Sequence, residues 1–283
     1  MKEEIVKNND KNVDYAVVKD FGEEWNTFDQ TALSDAERKL HFDAYFSVFP
    51  WEIIDAESVG FDAGCGTGRW ALIVAQQAGQ LHCVEPSNAI DIAKKNLQHL
   101  SNCSFHQNTI SDMPFPDNSM DFGYSLGVLH HIPDTQQGFI DCVQKLKRGA
   151  PFLVYLYYAF DNQPVWFRWL WKISDLMRCL ISRAPHRLKL FFCQIIAVTV
   201  YYPLARIALR LEKMGFSVHS LPLSVYRHRS LYSMKTDALD RFGTKLEQRF
   251  TKAEIRTMME RAGLERIQFS PNAPFYCAVG FKK

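Results

Sequence analysis

The stretch GFDAGCGTGRWA, Gly60 to Ala71, sets four glycines around one carboxylate and runs on into a helical-looking sequence. A glycine turn between a strand and a helix lets a ligand approach the main chain closely, and the helix start adds partial positive charge. Alone, such a turn suits a phosphate or dinucleotide, or is simply a tight connection with no ligand. Here the spacing is Gly64-x-Gly66-x-Gly68 rather than G-x-G-x-x-G, and Asp62 stands two residues before the first of these glycines. A pyrophosphate placed against that carboxylate would be repelled, whereas an ammonium or sulfonium would be attracted. Glu85 closes the next apolar run, LHCVE, a position from which a carboxylate can accept both hydroxyls of a ribose. Together the two acids ask for a nucleoside with a cationic tail.

Outward from this loop the pattern alternates strand and helix. VGFDA leads into the glycines and a helix expected from Arg69; LHCVE precedes SNAIDIAKKNLQHL, with Ser87 as N-cap and Ile90, Ala93, Leu97 and Leu100 on one face. CSFHQ, MDFGYSL, a helix after Asp134 and the apolar PFLVYLYY continue the rhythm, which predicts a parallel sheet with helices on both faces. Near the C-terminus, Thr251 and Glu254 form a capping box and Gly263 occupies the stop position of a helix. LERIQFS and PFYCAVGF then read as an antiparallel pair closing the sheet.

Residues 161–229 interrupt the rhythm with Trp166, Trp169 and Trp171, long apolar runs, and prolines at 164, 185, 203 and 222 expected to break them into pieces. Between Asp161 and Lys213 nine basic residues face three acids. The expected organisation is therefore an N-terminal helical segment at 1–57, a core at 58–160 and 230–283, and a helical insertion at 161–229. The most apolar stretch, Leu190 to Ala205, is 16 residues long with Gln194, Thr199 and Pro203 inside it, short of the roughly 20 apolar residues of a spanning helix. The charged N-terminus, MKEEIVKNNDKNVDY, lacks the apolar segment of a signal or anchor and reads as frayed. The 283 residues are 47% hydrophobic and 23% charged with a net charge of +2, the balance of a globular protein with no global attraction to nucleic acid. Seven scattered cysteines read as reduced thiols in a cytoplasmic protein.

DAGCGTG followed by Glu85, and then ISDMPFPDNSMDFGYSLGVLHHIPD, resembles the class I S-adenosylmethionine-dependent methyltransferases, in particular the small-molecule group of ubiquinone/menaquinone type. The resemblance covers roughly residues 55–158, continues in outline through 250–283 and leaves the insertion outside it. It implies an α/β Rossmann-like, seven-stranded, mostly parallel sheet with an antiparallel last strand, and S-adenosylmethionine as cofactor. Carried over, Asp62, Gly64, Cys65, Gly66 and Gly68 would hold the methionine end, and Glu85 with Pro86 the ribose. Thr109 and Ile110 would flank the adenine, where such enzymes often carry an acid before a small residue, and Ser125 and Leu126 would pass beneath the methyl. The family's LKPGG turn stands here as LKRGA, Leu146 to Ala150.

His130 and His131 follow the fourth strand, beside the substrate pocket of the resembled enzymes. Adjacent histidines on a helix point about 100° apart and lack the i, i+4 spacing of two metal ligands, so no metal is expected. A general base from this pair competes with pocket lining or capping. Phe21 or Trp25, in FGEEW, would line an N-terminal cover over the cofactor or simply pack on the sheet. RHRSLYSMKTDALDRF, Arg227 to Phe242, reads first as a solvated loop and second as a substrate contact. The insertion reads first as an aromatic lid over an apolar substrate pocket, then as a peripheral membrane face, then as a dimer interface. The function expected is methyl transfer to a small or lipophilic molecule, with a non-catalytic S-adenosylmethionine binder as the alternative. A dinucleotide dehydrogenase conflicts with the glycine spacing, and a nucleic-acid methyltransferase with the lack of an N-P-P-[YFW]-like tetrapeptide after the fourth strand.

Overall fold

A computed structural model describes residues 12–161, 163–218 and 221–283. The charged N-terminal stretch up to residue 11, with the frayed end expected there, lies outside the described residues. The chain divides into two compact units, one formed by residues 12–30, 39–159 and 246–283 and the other by residues 31–38 and 160–245.

The first unit is built on a seven-stranded sheet. Its strands are β1 (Val59–Ala63), β2 (Gln80–Val84), β3 (Cys103–His106), β4 (Phe122–Leu126), β5 (Pro151–Tyr155), β6 (Leu264–Phe269) and β7 (Cys277–Lys282), in the order β3-β2-β1-β4-β5-β7-β6. The first five strands run parallel, and β7 pairs antiparallel with both β5 and β6. β4 and β5 are buried along their whole length, as strands with both faces covered must be. Phe61, Leu129, Phe139, Phe152 and Met259 form the core on one face, and Phe46, Trp70, Leu81, Phe122 and Leu153 that on the other. At the centre of the sheet phenylalanine and glycine trade places: Gly60 pairs with Phe122 and Phe61 with Gly123, so each ring lies over a neighbour that has no side chain.

The helices of this unit are α1 (Tyr15–Thr27), the C-terminal part of α2 (Asp35–Tyr45), α3 (Ala71–Val74), α4 (Ala89–Asn96), α5 (Thr135–Lys145) and α10 (Lys252–Arg261). Asp14 caps α1 through the N–H groups of Ala16 and Val17, and Asp134 caps α5 through Gln137. The Thr251–Glu254 capping box is complete in both directions, and Gly263 takes φ +91° after α10. One expectation needs correction: α3 starts at Ala71, not Arg69, and lasts a single turn. Only eleven residues separate Gly68 from Gln80, and residues 75–79 are spent turning back into β2, so little helix dipole stands behind the glycine loop.

The second unit is helical, with α6 (Val165–Ile181), α7 (His186–Ile196), α8 (Tyr202–Lys213) and α9 (Leu231–Gly243). Pro164 and Pro185 precede α6 and α7, where a missing N–H costs nothing. Pro203 breaks nothing. One π-helical turn at Ala197–Tyr201 joins α7 to α8, with the Tyr202 N–H reaching the Ala197 carbonyl, and His186–Lys213 runs as 28 continuous helical residues. This corrects the break expected at Pro203 and the 16-residue limit, whereas the break expected at Pro185 stands between α6 and α7. By length and composition this helix is sufficient to cross a membrane.

The stretch read as a solvated loop at Arg227–Phe242 is mostly α9, capped by Ser230 on the Ser233 N–H. Met234, Ala238, Leu239 and Phe242 give it a buried apolar stripe at helical spacing, and it packs with the insertion rather than with the sheet.

The Gly60–Phe122 exchange leaves no space for a side chain. Gly60→Val should destabilise the protein by about 1–3 kcal/mol through overpacking, read as a lower urea midpoint with an unchanged slope.

Candidate active site

The main chain of the glycine loop is held before any side chain acts. Both Gly64 and Cys65 donate their N–H to the Val84 carbonyl, at 2.8 and 3.0 Å, which joins the end of β1 to the end of β2. Gly64, Gly66 and Gly68 all take positive φ, at +84°, +53° and +76°. At Gly64 a Cβ would also collide with Val128, so the position excludes a side chain on two grounds. Asn96 of α4 donates to the Thr67 carbonyl at 3.0 Å and to the Asp29 carbonyl at 3.1 Å, tying the loop to the chain just after α1.

Asp62 ends up 1% exposed, and its Oδ2 has no hydrogen-bond partner among the described residues. Burial pushes its carboxyl up to about 8. Glu85 is buried but engaged: Oε2 accepts from the Gly66 N–H at 3.1 Å, and Oε1 from the Ser87 N–H and hydroxyl at 3.0 and 2.6 Å. Burial raises its carboxyl as well, against the lowering effect of these bonds. A carboxylate oxygen offers two lone-pair sites, so Oε2 keeps one for a ribose hydroxyl, while Oε1 already accepts two bonds.

The structure places the other expected residues as follows. Cys65 is buried in the loop, and Pro86 is half-buried between Glu85 and Ser87. Thr109 is followed by the 3-10 turn Ile110–Asp112, its hydroxyl buried and without a hydrogen-bond partner among the described residues, while Ile110 packs into the core. The Ser125 hydroxyl donates to the Ala63 carbonyl at 2.9 Å and so braces β4 against β1 rather than facing outward. Leu126 is 6% exposed at the end of β4.

His130 and His131 lie in a 3-10 turn after β4, and both are buried. His131 Nδ1 contacts the Leu246 carbonyl at 2.7 Å, and its ring meets the edge of Phe21 with centroids 4.9 Å apart. His130 has no exposed surface, and neither ring nitrogen has a hydrogen-bond partner among the described residues. Its ring lies between those of Tyr157 and His131, at 3.9 and 4.0 Å between centroids. Burial, then the His131 and Arg249 charges, push it well below the usual histidine range, so it is neutral at physiological pH.

Sequence reasoning missed Tyr157 and the segment Leu246–Phe250. Gln248 donates its N–H to the His130 carbonyl at 3.1 Å, Phe250 to Tyr157 at 2.9 Å, and the Arg249 guanidinium sits 5.0 Å from the Tyr157 ring centroid. The alternation at the end of PFLVYLYY was the only available hint. Trp25, one of the two expected cover residues, stands over the glycine loop: a Cβ on Gly66 would lie 3.2 Å from its indole nitrogen. Gly22 lets α1 reach Ser87 and Asn88, because a Cβ there would collide with Asn88. Among the described residues, no group of three or more His, Cys, Asp or Glu is placed to hold a metal.

Comparison with known proteins agrees with this geometry. Residues 61–154 match the methyltransferase domain family, about one third of the chain. Phosphoethanolamine N-methyltransferase 2 of Caenorhabditis elegans is 35% identical over 101 residues, 34% of this chain and 23% of that protein. Demethylmenaquinone methyltransferase of Bacillus licheniformis is 28% identical over 98 residues, 33% of this chain and 42% of that protein. The matched region spans less than half of either curated relative. The crystal structure of a candidate methyltransferase from Bacillus halodurans has the same fold, with a TM-score of 0.50 at 12% identity over 81% of this chain and 71% of that one. The sheet order is that of the class I S-adenosylmethionine-dependent methyltransferase fold, and the segment 61–154 within it is the part that matches the methyltransferase domain family.

The cofactor fits the residues present. Asp62 offers a buried, unpartnered carboxyl oxygen to an ammonium, and the Thr109 hydroxyl is a second buried polar group without a partner. A carboxyl raised from 3.8 to about 8 binds its proton more tightly in the folded than in the unfolded chain. Its contribution therefore lowers stability as pH rises from about 4 to about 8. Asp62→Asn should flatten that decline and raise the melting temperature of the ligand-free protein at pH 8, with little change at pH 4.

Proposed function

We propose that the protein is an S-adenosylmethionine-dependent methyltransferase acting on a small lipophilic acceptor, in a reducing cytoplasmic compartment. The observation that carries this reading is Asp62: a buried carboxyl with an open oxygen beside three positive-φ glycines is a costly arrangement without a cationic ligand. The cofactor supplies a methyl already activated on a sulfonium, which an acceptor atom displaces in line. The protein's share is to bind, align and exclude water.

In this reading Asp62 loses its proton to accept the ammonium of the methionine end. Glu85 holds the ribose while keeping its bonds to Gly66 and Ser87. Thr109 meets the adenine edge. Trp25, with the Arg69 guanidinium 5.8 Å from its ring centroid, covers the loop. The aromatic and histidine side chains near the ends of β4 and β5, Phe21, His130, His131 and Tyr157, form the acceptor side. Their apolar faces favour a ring or chain over a sugar or phosphate, which agrees with the menaquinone-type relative more than with the phosphoethanolamine one. His130, neutral and without a hydrogen-bond partner, would accept the proton of an acceptor hydroxyl. The seven free thiols fit a reducing compartment.

Calorimetry should show S-adenosylhomocysteine binding and no response to NADH. Because Asp62 is largely protonated at pH 7 in the free protein, binding should release close to one proton, seen as a heat that varies with the ionisation enthalpy of the buffer. Asp62→Asn should abolish the proton release and weaken binding at least about tenfold, the scale of one charge-assisted bond. Labelled methyl should appear in organic-extractable quinols or phenols; tight binding with no labelled product from any acceptor would leave a non-catalytic binder. With a hydroxyl acceptor, His130→Gln should lower kcat by about 10²–10⁴-fold and leave S-adenosylhomocysteine affinity unchanged. The wild-type acidic limb should lie below the usual histidine range.

A further inference from the structure

The helical unit of residues 31–38 and 160–245 turns its polarity inside out. On α6 the charged pair faces inward: Arg178 bonds Asp175 at 2.6 Å and the Thr244 carbonyl at 3.0 Å, and its side chain is only 11% exposed. The apolar side chains face outward, with Trp169 63%, Ile173 62%, Leu176 66% and Leu180 67% exposed. The 28-residue helix His186–Lys213 repeats the pattern. Lys189 is 4% exposed, and Arg206 donates to the Arg227 and Arg229 carbonyls at 3.2 and 3.1 Å. Phe191, Phe192, Ile195 and Val198 lie exposed. A helix in water does the reverse. Scattered exposed apolar residues are normal, but two long helices that turn Arg178, Lys189 and Arg206 inward while exposing contiguous aromatic and aliphatic rows are built for an apolar medium.

The charges select which medium. Within residues 164–213 every charged side chain that is exposed is basic: Arg168, Lys172, Arg183, Arg187, Arg210 and Lys213. The two acids of that stretch, Asp175 and Glu212, are paired with Arg178 and with Arg227 and His228. The Lys172 ammonium lies 5.0 Å from the Trp169 ring centroid, an aromatic and a cation side by side at the rim of the apolar row. We propose that α6 and the His186–Lys213 helix lie in the interface of a bilayer with anionic headgroups, apolar rows among the acyl chains and basic side chains among the phosphates.

Length and hydropathy alone would let His186–Lys213 span the bilayer, but its packing argues for lying on it. Lys189, Cys193, Ala197, Tyr201, Ala205 and Ala208 make one continuous buried face, and the helix packs on α9. α9 carries Lys235, Asp237, Asp240 and Arg241, and α6 packs on it as well. A spanning pose would carry that charged neighbour into hydrocarbon, whereas a pose in the interface keeps α9 on the wet side. The proposal stands apart from the methyl-transfer reading, since no catalytic or cofactor residue enters it.

The test is sedimentation of the full chain with phosphatidylcholine vesicles, with and without phosphatidylglycerol, together with Trp emission. Binding is expected to be at least about tenfold stronger to the anionic vesicles, to weaken with salt, and to shift Trp emission to the blue. The double variant Ile173→Asp, Leu176→Asp changes exposed side chains only. It should lose vesicle binding at least about tenfold while melting temperature and S-adenosylhomocysteine affinity stay at wild-type values. Absence of vesicle binding, or binding indifferent to lipid charge, overturns the proposal. So does a soluble dimer that ignores vesicles and that the double variant makes monomeric, since the apolar rows would then be an interface between copies.

Discussion

A carboxylate buried at the end of β1 is the constraint around which the sheet unit is arranged. Asp62 sits where burial disfavours its charged form more than the Tyr124 hydroxyl and the Arg69 charge favour it, and its Oδ2 has no hydrogen-bond partner among the described residues. A buried acid of this kind would be replaced readily if only stability mattered, because an isosteric neutral residue would fit the same space. Its neighbours keep it available. The Val84 carbonyl takes the Gly64 and Cys65 N–H groups, Glu85 takes that of Gly66, and the glycines accept the backbone angles this requires. The turn is thus rigid through its main chain, and the one group left open is the one with charge to offer.

The aromatic and histidine cluster beside the ends of β4 and β5 is built differently. It comes from segments distant in sequence: α1 brings Phe21, the turn after β4 brings the two histidines, the residues after β5 bring Tyr157, and Leu246–Phe250 bonds to both of the latter through the main chain. Rings rather than charges dominate it, and His130 is kept neutral by burial. The proposed methyl transfer needs alignment and dryness more than strong acids or bases, and a buried, aromatic cluster fits that need. The helical unit follows a third logic, with Arg178, Lys189 and Arg206 turned inward and rows of apolar side chains exposed.

Local pattern revealed a good part of this and hid the rest for identifiable reasons. The strands, the capping box at Thr251 and the antiparallel pairing of β6 with β7 all follow from periodicity and turn chemistry. The length of α3 did not, because the short span to Gly79 is set by where β2 must begin. Arg227–Phe242 looked like a loop for its many charges, although Met234, Ala238 and Phe242 recur at helical spacing. Pro203 looked like a break, but a π turn ahead of it supplies a register in which its missing N–H is tolerated. The hydroxyl bond from Ser125 to the Ala63 carbonyl had no sign in the local pattern.

By itself the amino-acid sequence determined the ligand class of the glycine loop, because an acid two residues ahead of three alternating glycines is a local electrostatic and steric statement. It also determined the sheet, whose strands announce themselves by short-range pattern. Only the tertiary structure decided which side chains lack partners, that Ser125 is a brace and His130 is enclosed, and which way the apolar rows of the insertion face. Those properties depend on what packs against each group from elsewhere in the chain, and no spacing along the sequence encodes them.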